Sequence, residues 1–192
     1  PDVVREPYSS MFDSQDYSRP ASASKPKEGL PGWGTMNNDN YNQARYYGMV
    51  KCIDDNVGKI LSFLERNEML DNTIVVFTSD HGDLRGEHGR HQKGVPYEAS
   101  CRIPFLIRWP EKIEAGTVVP QVLGCTDFLP TILGLMDVPS TGNEDGRDAS
   151  SIFTSGEVPE DWEDILFVRG TTDSKWVAAF TQQYKLIFSE ED

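Results

Sequence analysis

The sequence has few cysteines, few histidines and too little positive charge for several common classes of protein. Its three cysteines, Cys52, Cys101 and Cys125, are far apart and form no CxxC pair, which argues against a zinc ribbon or a thioredoxin-type site. Only 18 Lys and Arg stand against 31 Asp and Glu, so the net charge is −13. Because binding to a phosphate backbone needs clustered cations, we expect no nucleic-acid partner.

Long apolar runs are also missing. No segment approaches the length that spans a bilayer, so we expect no membrane association. The first residues, PDVVREPYSS, lack the apolar region of a signal peptide. With 192 residues, 38% hydrophobic and 26% charged, the composition is ordinary for a globular protein that buries a core.

The order of sequence patterns indicates an α/β fold. Residues 1–40 are rich in Pro, Ser, Gly and Asn, which predicts an irregular surface segment. From Tyr41 to Met69, apolar residues recur at threes and fours, which predicts a long helix that Asp71-Asn72 ends. The run TIVVF, Thr73 to Phe77, predicts a strand buried on both faces, as in a parallel sheet, and Ile103 to Trp109 predicts a second strand.

The pattern changes toward the C-terminal end. A short helix is expected near Pro96–Ser100 and another over Asp127–Met136. Three strand-like runs, DILFVRG, WVAAFT and YKLIFS, then follow one another without helices, which predicts a small antiparallel sheet. We therefore expect an irregular segment over 1–40, an α/β part over 41–158 and the start of an antiparallel subdomain over 159–192.

All three histidines fall between positions 81 and 91, in a polar loop that directly follows the first predicted strand. Asp80 and His81 stand at the carboxyl end of that strand, where open parallel sheets bind ligands. A carboxylate and an imidazole suit a divalent cation. Consecutive strand residues point to opposite faces, and Gly82 permits the bend that would bring both side chains to one ion. Each residue alone is more often an ordinary polar surface group, but the whole string favours a metal-centred site.

The string TSDHGD…GEHG…K…YE, followed by RIPFLIRWP, resembles the sulfatase family of the alkaline-phosphatase superfamily. The segments TDFLPTILGLMDVP, EDGRDASSIF and WVAAFTQQYKLIFS resemble later parts of the same family, so that the likeness covers about residues 41–190. The resemblance implies an alkaline-phosphatase-like α/β fold, with a mixed or parallel sheet, flanking helices and a small C-terminal antiparallel sheet. It also implies the hydrolysis of sulfate esters.

The resemblance further implies roles for individual residues. Asp80 and His81 would be ligands of a divalent cation, usually Ca²⁺ in this family. Lys93 would bind the sulfate group and neutralise charge that develops on it during the reaction. His88, in GEHG, is a further candidate for a catalytic or substrate contact. The implied substrate is a sulfated small molecule or glycan, and the family leans toward the periplasm, secretion or the lysosome without deciding the compartment.

The nucleophile of the family is a formylglycine made from Cys or Ser in a C/S-x-P-x-R motif, and this sequence lacks that motif. The stretches from Ser18 to Ser22 and from Ser24 to Glu28 have the Ser and Pro of the motif but end without its Arg, and in Cys101–Pro104 the Pro stands one place too late. A strand that ends in paired aspartates, the family's other source of metal ligands, is also missing. We therefore expect the C-terminal part of a sulfatase, with formylglycine only in a missing N-terminal part. Alone, the chain should be inactive, bind metal weakly and self-associate through an exposed sheet edge.

Two alternatives stay open at this point. One is a phosphonate or phosphodiester hydrolase of the same superfamily, because phosphate and sulfate groups have nearly the same shape. The other is a non-catalytic truncated module, which the missing nucleophile favours. The joint presence of Asp80, His81 and Lys93 argues against such a module, since a structural role does not need all three.

Overall fold

The computed structural model describes residues 4–17, 21–23, 39–170 and 175–189. These residues form two compact units, the first comprising Pro1–Thr73 with Asp83–Gln92 and the second Ile74–Gly82 with Lys93–Asp192. The predicted division at about residues 40 and 158 stays a prediction. The helices are α1 (Asp39–Arg66), α2 (Glu98–Cys101), α3 (Phe128–Leu135) and α4 (Ser150–Thr154); the strands are β1 (Val75–Thr78), β2 (Phe105–Arg108), β3 (Leu166–Arg169), β4 (Trp176–Phe180) and β5 (Lys185–Ser189).

Helix α1 dominates the first unit and confirms the predicted long helix. It ends at Arg66, several residues before the predicted stop at Asp71-Asn72. Glu68 adopts a left-handed backbone with φ of 57°, and the amide of Met69 donates to the carbonyl of Leu64 at 2.9 Å. Because this reversed turn satisfies a carbonyl of the last helical turn, the chain leaves the helix there.

Residues 4–17 of the N-terminal segment form consecutive turns that pack on α1. The hydroxyl of Tyr8 donates to Asp55 at 2.9 Å. Gly48 permits this approach, because a Cβ atom at that position would lie 2.1 Å from the carbonyl oxygen of Tyr8. Residues 4–17 are therefore irregular, as predicted, but ordered against the helix. Residues 1–3, 18–20 and 24–38 of the predicted irregular segment lie outside the described residues.

The core of the second unit lies among β2, α3, α4 and the turn that follows β2. The ring of Phe105 lies 4.7 Å from that of Phe128 and 5.7 Å from that of Phe153, so β2 packs on α3 and α4. The short helix α2 and the helix α3 confirm the two predicted helices of this region. The buried apolar residues of the core are Trp109, Ile113, Leu135, Ala149, Ile152 and Phe153.

Strand β1 differs from its prediction in two respects. It pairs with β2 in the antiparallel direction, with Val75 opposite Arg108. The side chains of Val76 and Phe77 are 37% and 39% exposed. The prediction of a strand buried on both faces, as in a parallel sheet, is therefore wrong for the described chain. A short apolar run identifies a strand, but the direction of its neighbour and the layer that covers it depend on tertiary connections.

The C-terminal strands confirm the predicted antiparallel sheet. Strand β4 lies in the centre, between β3 and β5, with Leu166 opposite Phe180 and Trp176 opposite Ser189. Ala178, in the middle of β4, is fully buried. None of the helices in the described ranges is long and apolar enough to cross a bilayer.

Candidate functional site

Asp80 and His81 follow β1 directly, and their side chains converge. The Asp80 carboxylate oxygen Oδ2 lies 3.4 Å from His81 Nε2. The backbone amide of His81 donates to Asp80 Oδ1 at 2.9 Å. This hydrogen bond lowers the pKa of the Asp80 carboxyl, and the charge of Lys93 adds a smaller effect in the same direction. Asp80 is therefore a carboxylate at neutral pH, with one oxygen directed at the imidazole.

The donor atoms of this pair fit one divalent cation. His81 Nδ1 lies 2.8 Å from the carbonyl oxygen of Gly82. Since a carbonyl only accepts, a neutral His81 bears its proton on Nδ1 and leaves the lone pair of Nε2 facing the carboxylate. Two such electron-rich atoms, 3.4 Å apart, could both bond to one divalent cation placed between them. Among the residues that the structure describes, no cluster of three or more His, Cys, Asp or Glu side chains completes a metal site.

Gly82 and Ser100 fix the segment that carries this pair. The amide of Gly82 donates to the carbonyl of Ser100 at 2.9 Å. A Cβ atom on Gly82 would lie 2.0 Å from the carbonyl oxygen of Ala99, so only glycine allows this approach to α2. The backbone of Gly82 is not left-handed. The glycine is thus needed for close packing against α2, and the predicted bend at Gly82 stays a prediction.

His88 belongs to the other compact unit, in the loop Asp83–Gln92. The side chain of Asp83 accepts from the amides of Arg85 and Gln92, each at 3.0 Å, and closes this loop. His88 has a left-handed backbone with φ of 53° and is exposed, and its amide donates to Ser22 at 3.1 Å. These hydrogen bonds explain why the loop Asp83–Gln92 is closed. A catalytic contact of His88 stays a prediction.

Lys93 lies in the same compact unit as Asp80 and His81 and is exposed. Hydrogen bonds fix the loop after Lys93 at the backbone of Gly94 and Pro96. The amide of Gly94 donates to Ser100 Oγ at 3.2 Å, and the carbonyl of Gly94 accepts from the indole of Trp176 at 2.9 Å. The carbonyl of Pro96 accepts from the ammonium of Lys185 at 2.9 Å. These partners are up to 89 residues distant in sequence, so no local pattern could have identified them.

Comparison with known proteins places these observations in a family. A model of the Sulfatase family matches residues 6–138, and a model described as N-sulphoglucosamine sulphohydrolase, C-terminal, matches residues 86–191. An N-acetylglucosamine-6-O-sulfatase of Bacteroides thetaiotaomicron is 37% identical over 123 residues, which are 64% of this chain and 22% of that protein. An arylsulfatase of Clostridium perfringens is 35% identical over 65% of this chain and 26% of its own length.

Solved structures of related proteins point to the same family. A putative sulfatase from Bacteroides fragilis matches with a TM-score of 0.72 and 26% identity, over 97% of this chain and 43% of that one. A structure in complex with its substrate, D-glucosamine-2-N,6-O-disulfate, matches with a TM-score of 0.69 and 31% identity, over 80% of this chain and 32% of that one. These neighbours confirm the predicted alkaline-phosphatase-like α/β fold. The chain spans about a quarter of the length of the two curated relatives. The match of the Sulfatase model over residues 6–138 shows that the chain belongs to the sulfatase family.

Proposed function

We propose that this chain supplies metal-binding and sulfate-binding residues for the hydrolysis of a sulfate ester. The observation that carries the proposal is the convergence of Asp80 Oδ2 and His81 Nε2, 3.4 Å apart, within the compact unit that also contains Lys93. Membership of the sulfatase family supports the reaction class. The division of labour among the three side chains is our assignment.

Asp80 and His81 would hold a divalent cation, and we propose Ca²⁺ because the resemblance to sulfatases implies it and Asp80 supplies a hard oxygen ligand. A divalent cation held there would supply Lewis-acid chemistry, which stabilises negative charge on a sulfate ester. Lys93 offers a compact ammonium with three donors, which suits an oxygen of the sulfate group. For His88 we retain only the catalytic or substrate contact that the resemblance implies. The nucleophile is not among these residues, because the sequence contains no C/S-x-P-x-R motif.

The substrate class we propose is a sulfated sugar. One relative is named an N-acetylglucosamine-6-O-sulfatase, and one structural neighbour was solved with D-glucosamine-2-N,6-O-disulfate. Both names concern amino sugars that bear sulfate, which supports the same chemical class here. The phosphonate monoester hydrolase from Silicibacter pomeroyi matches at 23% identity with a TM-score of 0.64, a likeness of fold that does not favour phosphonates as substrates.

A calcium titration by calorimetry tests the metal assignment. Two protein ligands cannot fill the six to eight positions of Ca²⁺, so the chain should bind it weakly, with a dissociation constant of about 1 mM or higher. Asp80→Asn should reduce this binding further. Asp161→Asn is the matched control, because Asp161 is an exposed acid in a loop and its replacement removes the same charge. Equal binding by the wild type and Asp80→Asn would disprove the assignment.

Turnover of 4-nitrophenyl sulfate and of glucosamine 6-sulfate tests the reaction. We expect no turnover by the chain alone, and turnover by the product of the complete gene if that product is longer. Lys93→Met in that product should lower kcat/KM for sulfate esters by about 10²–10³-fold, the effect of removing one donor from an oxyanion site. Faster hydrolysis of phenyl phosphonate than of any sulfate ester would contradict the proposed substrate class.

Self-association is the last part of the proposal. Val76, Phe77 and Leu106 on the β1–β2 ribbon are 37%, 39% and 64% exposed. Apolar strand surface of this kind favours pairing between copies. Sedimentation at increasing concentration should therefore reveal dimers or larger species, and a monomer throughout would contradict this expectation.

A further inference from the structure

The C-terminal sheet donates two side-chain hydrogen bonds to the loop that begins at Lys93. The indole Nε1 of Trp176, the first residue of β4, donates to the carbonyl of Gly94 at 2.9 Å. The ammonium of Lys185, the first residue of β5, donates to the carbonyl of Pro96 at 2.9 Å and to Glu98 of α2 at 2.7 Å. These bonds hold the loop at Gly94 and at Pro96, one and three residues after Lys93.

The same loop is also tied to the segment that carries Asp80 and His81. Ser100 is buried, and its hydroxyl accepts from the amide of Gly94 at 3.2 Å. The carbonyl of Ser100 accepts from the amide of Gly82 at 2.9 Å. One residue of α2 therefore fixes the backbone on both sides, next to Asp80-His81 and next to Lys93.

The hydrogen bonds of the two donors go to the loop and α2, although the Lys185 ammonium also lies 5.1 Å from the ring centroid of Phe180 on β4. Strands β3, β4 and β5 are paired by their own backbone ladder, from Leu166–Phe180 through Trp176–Ser189. The indole and the ammonium are not part of that ladder. Gly94 has φ of 93°, a conformation in which glycine lacks the steric restraint of a side chain. Without external anchors, the backbone at this point would vary, and the position of the Lys93 ammonium would vary with it.

We infer that Trp176 and Lys185 are positioning residues that hold the Lys93 loop in the geometry needed to bind the sulfate group. The inference rests on the proposed role of Lys93. It gives the C-terminal antiparallel sheet a part in the reaction, although none of its residues needs to touch the reacting atoms. Preorganised donors stabilise developing charge better than mobile ones, because no ordering cost remains at the moment of reaction.

Hydrogen exchange of the chain itself tests the anchoring directly. Trp176→Phe removes the indole donor and keeps an aromatic ring. We expect exchange of the Gly94 amide to become about tenfold faster, since loss of a partner for a part-buried carbonyl favours local opening. Trp162→Phe is the matched control, because Trp162 is part-buried like Trp176 and its indole Nε1 has no hydrogen-bond partner among the described residues.

Lys185→Met should also speed exchange at Gly94, and Lys185→Arg should restore much of the protection because arginine keeps a charged donor. The β3–β4 amides should stay protected in all these variants. Unchanged exchange at Gly94 in Trp176→Phe would overturn the inference. A uniform increase across the whole sheet would also overturn it, because the residue would then be a general stabilising contact.

A titration with inorganic sulfate, followed by amide signals of the loop, connects the anchoring to binding. We expect the affinity for sulfate to fall about three- to tenfold in Trp176→Phe. In Lys93→Met, the affinity should fall to the level of non-specific binding. Retained affinity in Trp176→Phe with loss in Lys93→Met would overturn the positioning role and leave the proposed function intact. Equal affinity in the wild type and Lys93→Met would instead refute the proposed function of Lys93, while the exchange experiment would still decide whether the sheet anchors the loop.

Discussion

The ion pair between Asp127 and Arg147 offers the sharpest prediction about stability. The Asp127 side chain is 3% exposed and that of Arg147 is 27% exposed, and their closest atoms are 2.8 Å apart. The guanidinium also donates to the carbonyls of Val122 and Glu163. The carboxylate accepts in addition from the amides of Gly124 and Arg147, each at 2.8 Å. One arginine thus joins the turn before α3, the loop before α4 and the segment before β3.

The replacement Arg147→Met keeps the aliphatic stem and removes the charge. Breaking a buried ion pair by removing one partner costs about 3–5 kcal/mol, because the remaining charge stays buried. Two backbone amides still solvate Asp127, and the exposed fraction of the arginine allows partial screening by water. We therefore expect the free energy of unfolding to fall by about 2–4 kcal/mol.

Urea unfolding followed by tryptophan fluorescence is the assay. Trp162 stacks on the guanidinium at 4.1 Å and so reports on this region. Asp127→Asn and the double variant complete a mutant cycle that isolates the pair from the other bonds of Arg147. A loss below about 1 kcal/mol in Arg147→Met, or a coupling energy near zero, would refute the reasoning, because a desolvated pair must be coupled.

The pH dependence of the same pair has a definite sign. Burial by itself raises the pKa of the Asp127 carboxyl, but the hydrogen bonds from Arg147 and from the amides of Gly124 and Arg147 outweigh burial, so the pKa lies below its ordinary value of 3.8. A carboxyl whose pKa is lower in the folded state stabilises the fold above the unfolded pKa and loses that contribution as pH falls through the folded pKa. As the pH is lowered below about 4, the urea concentration at the midpoint of unfolding should therefore decrease. The decrease should be smaller in Arg147→Met.

Three further predictions follow from single contacts. Gly82→Ala places a Cβ atom 2.0 Å from the carbonyl oxygen of Ala99. This variant should lower the free energy of unfolding in urea by about 1–3 kcal/mol and weaken calcium binding, and an unchanged stability would contradict the packing described. The Ser140 hydroxyl, first among several hydrogen bonds, lowers the pKa of Glu144 to about 2; Ser140→Ala should raise that pKa toward 4.5 in an NMR titration, and no change would reject the bond. Burial raises the pKa of the Cys101 thiol, so iodoacetamide should alkylate it more slowly in the native chain than in urea, whereas equal rates would show that the thiol is accessible.

Local patterns in the sequence were sufficient for most of the secondary structure. The apolar period that predicts α1 and the β-branched runs that predict β1 to β5 are properties of neighbouring residues, so they can be read without a fold. The direction of the β1–β2 pair could not be predicted in this way. Neither could the exposure of Val76 and Phe77, which depends on what packs over the strand.

For the candidate site, the order of residues along the chain determined the chemistry. It placed a carboxylate and an imidazole after a strand and a lysine twelve residues beyond the imidazole, at positions 80, 81 and 93. That order, together with the resemblance, was enough to predict the family that the comparisons show. Residue types and short spacings carry this information because they decide which ligands and charges are available.

Tertiary structure alone decided how the site is held. The close approach of Gly82 to Ala99 and the bonds from Trp176 and Lys185 to the Lys93 loop join residues that are far apart in sequence. Such contacts depend on the tertiary arrangement of segments that are distant in sequence, and no periodicity or motif encodes them individually. The sequence by itself therefore determined which groups this sulfatase chain contains, and the fold determined which of their positions are fixed.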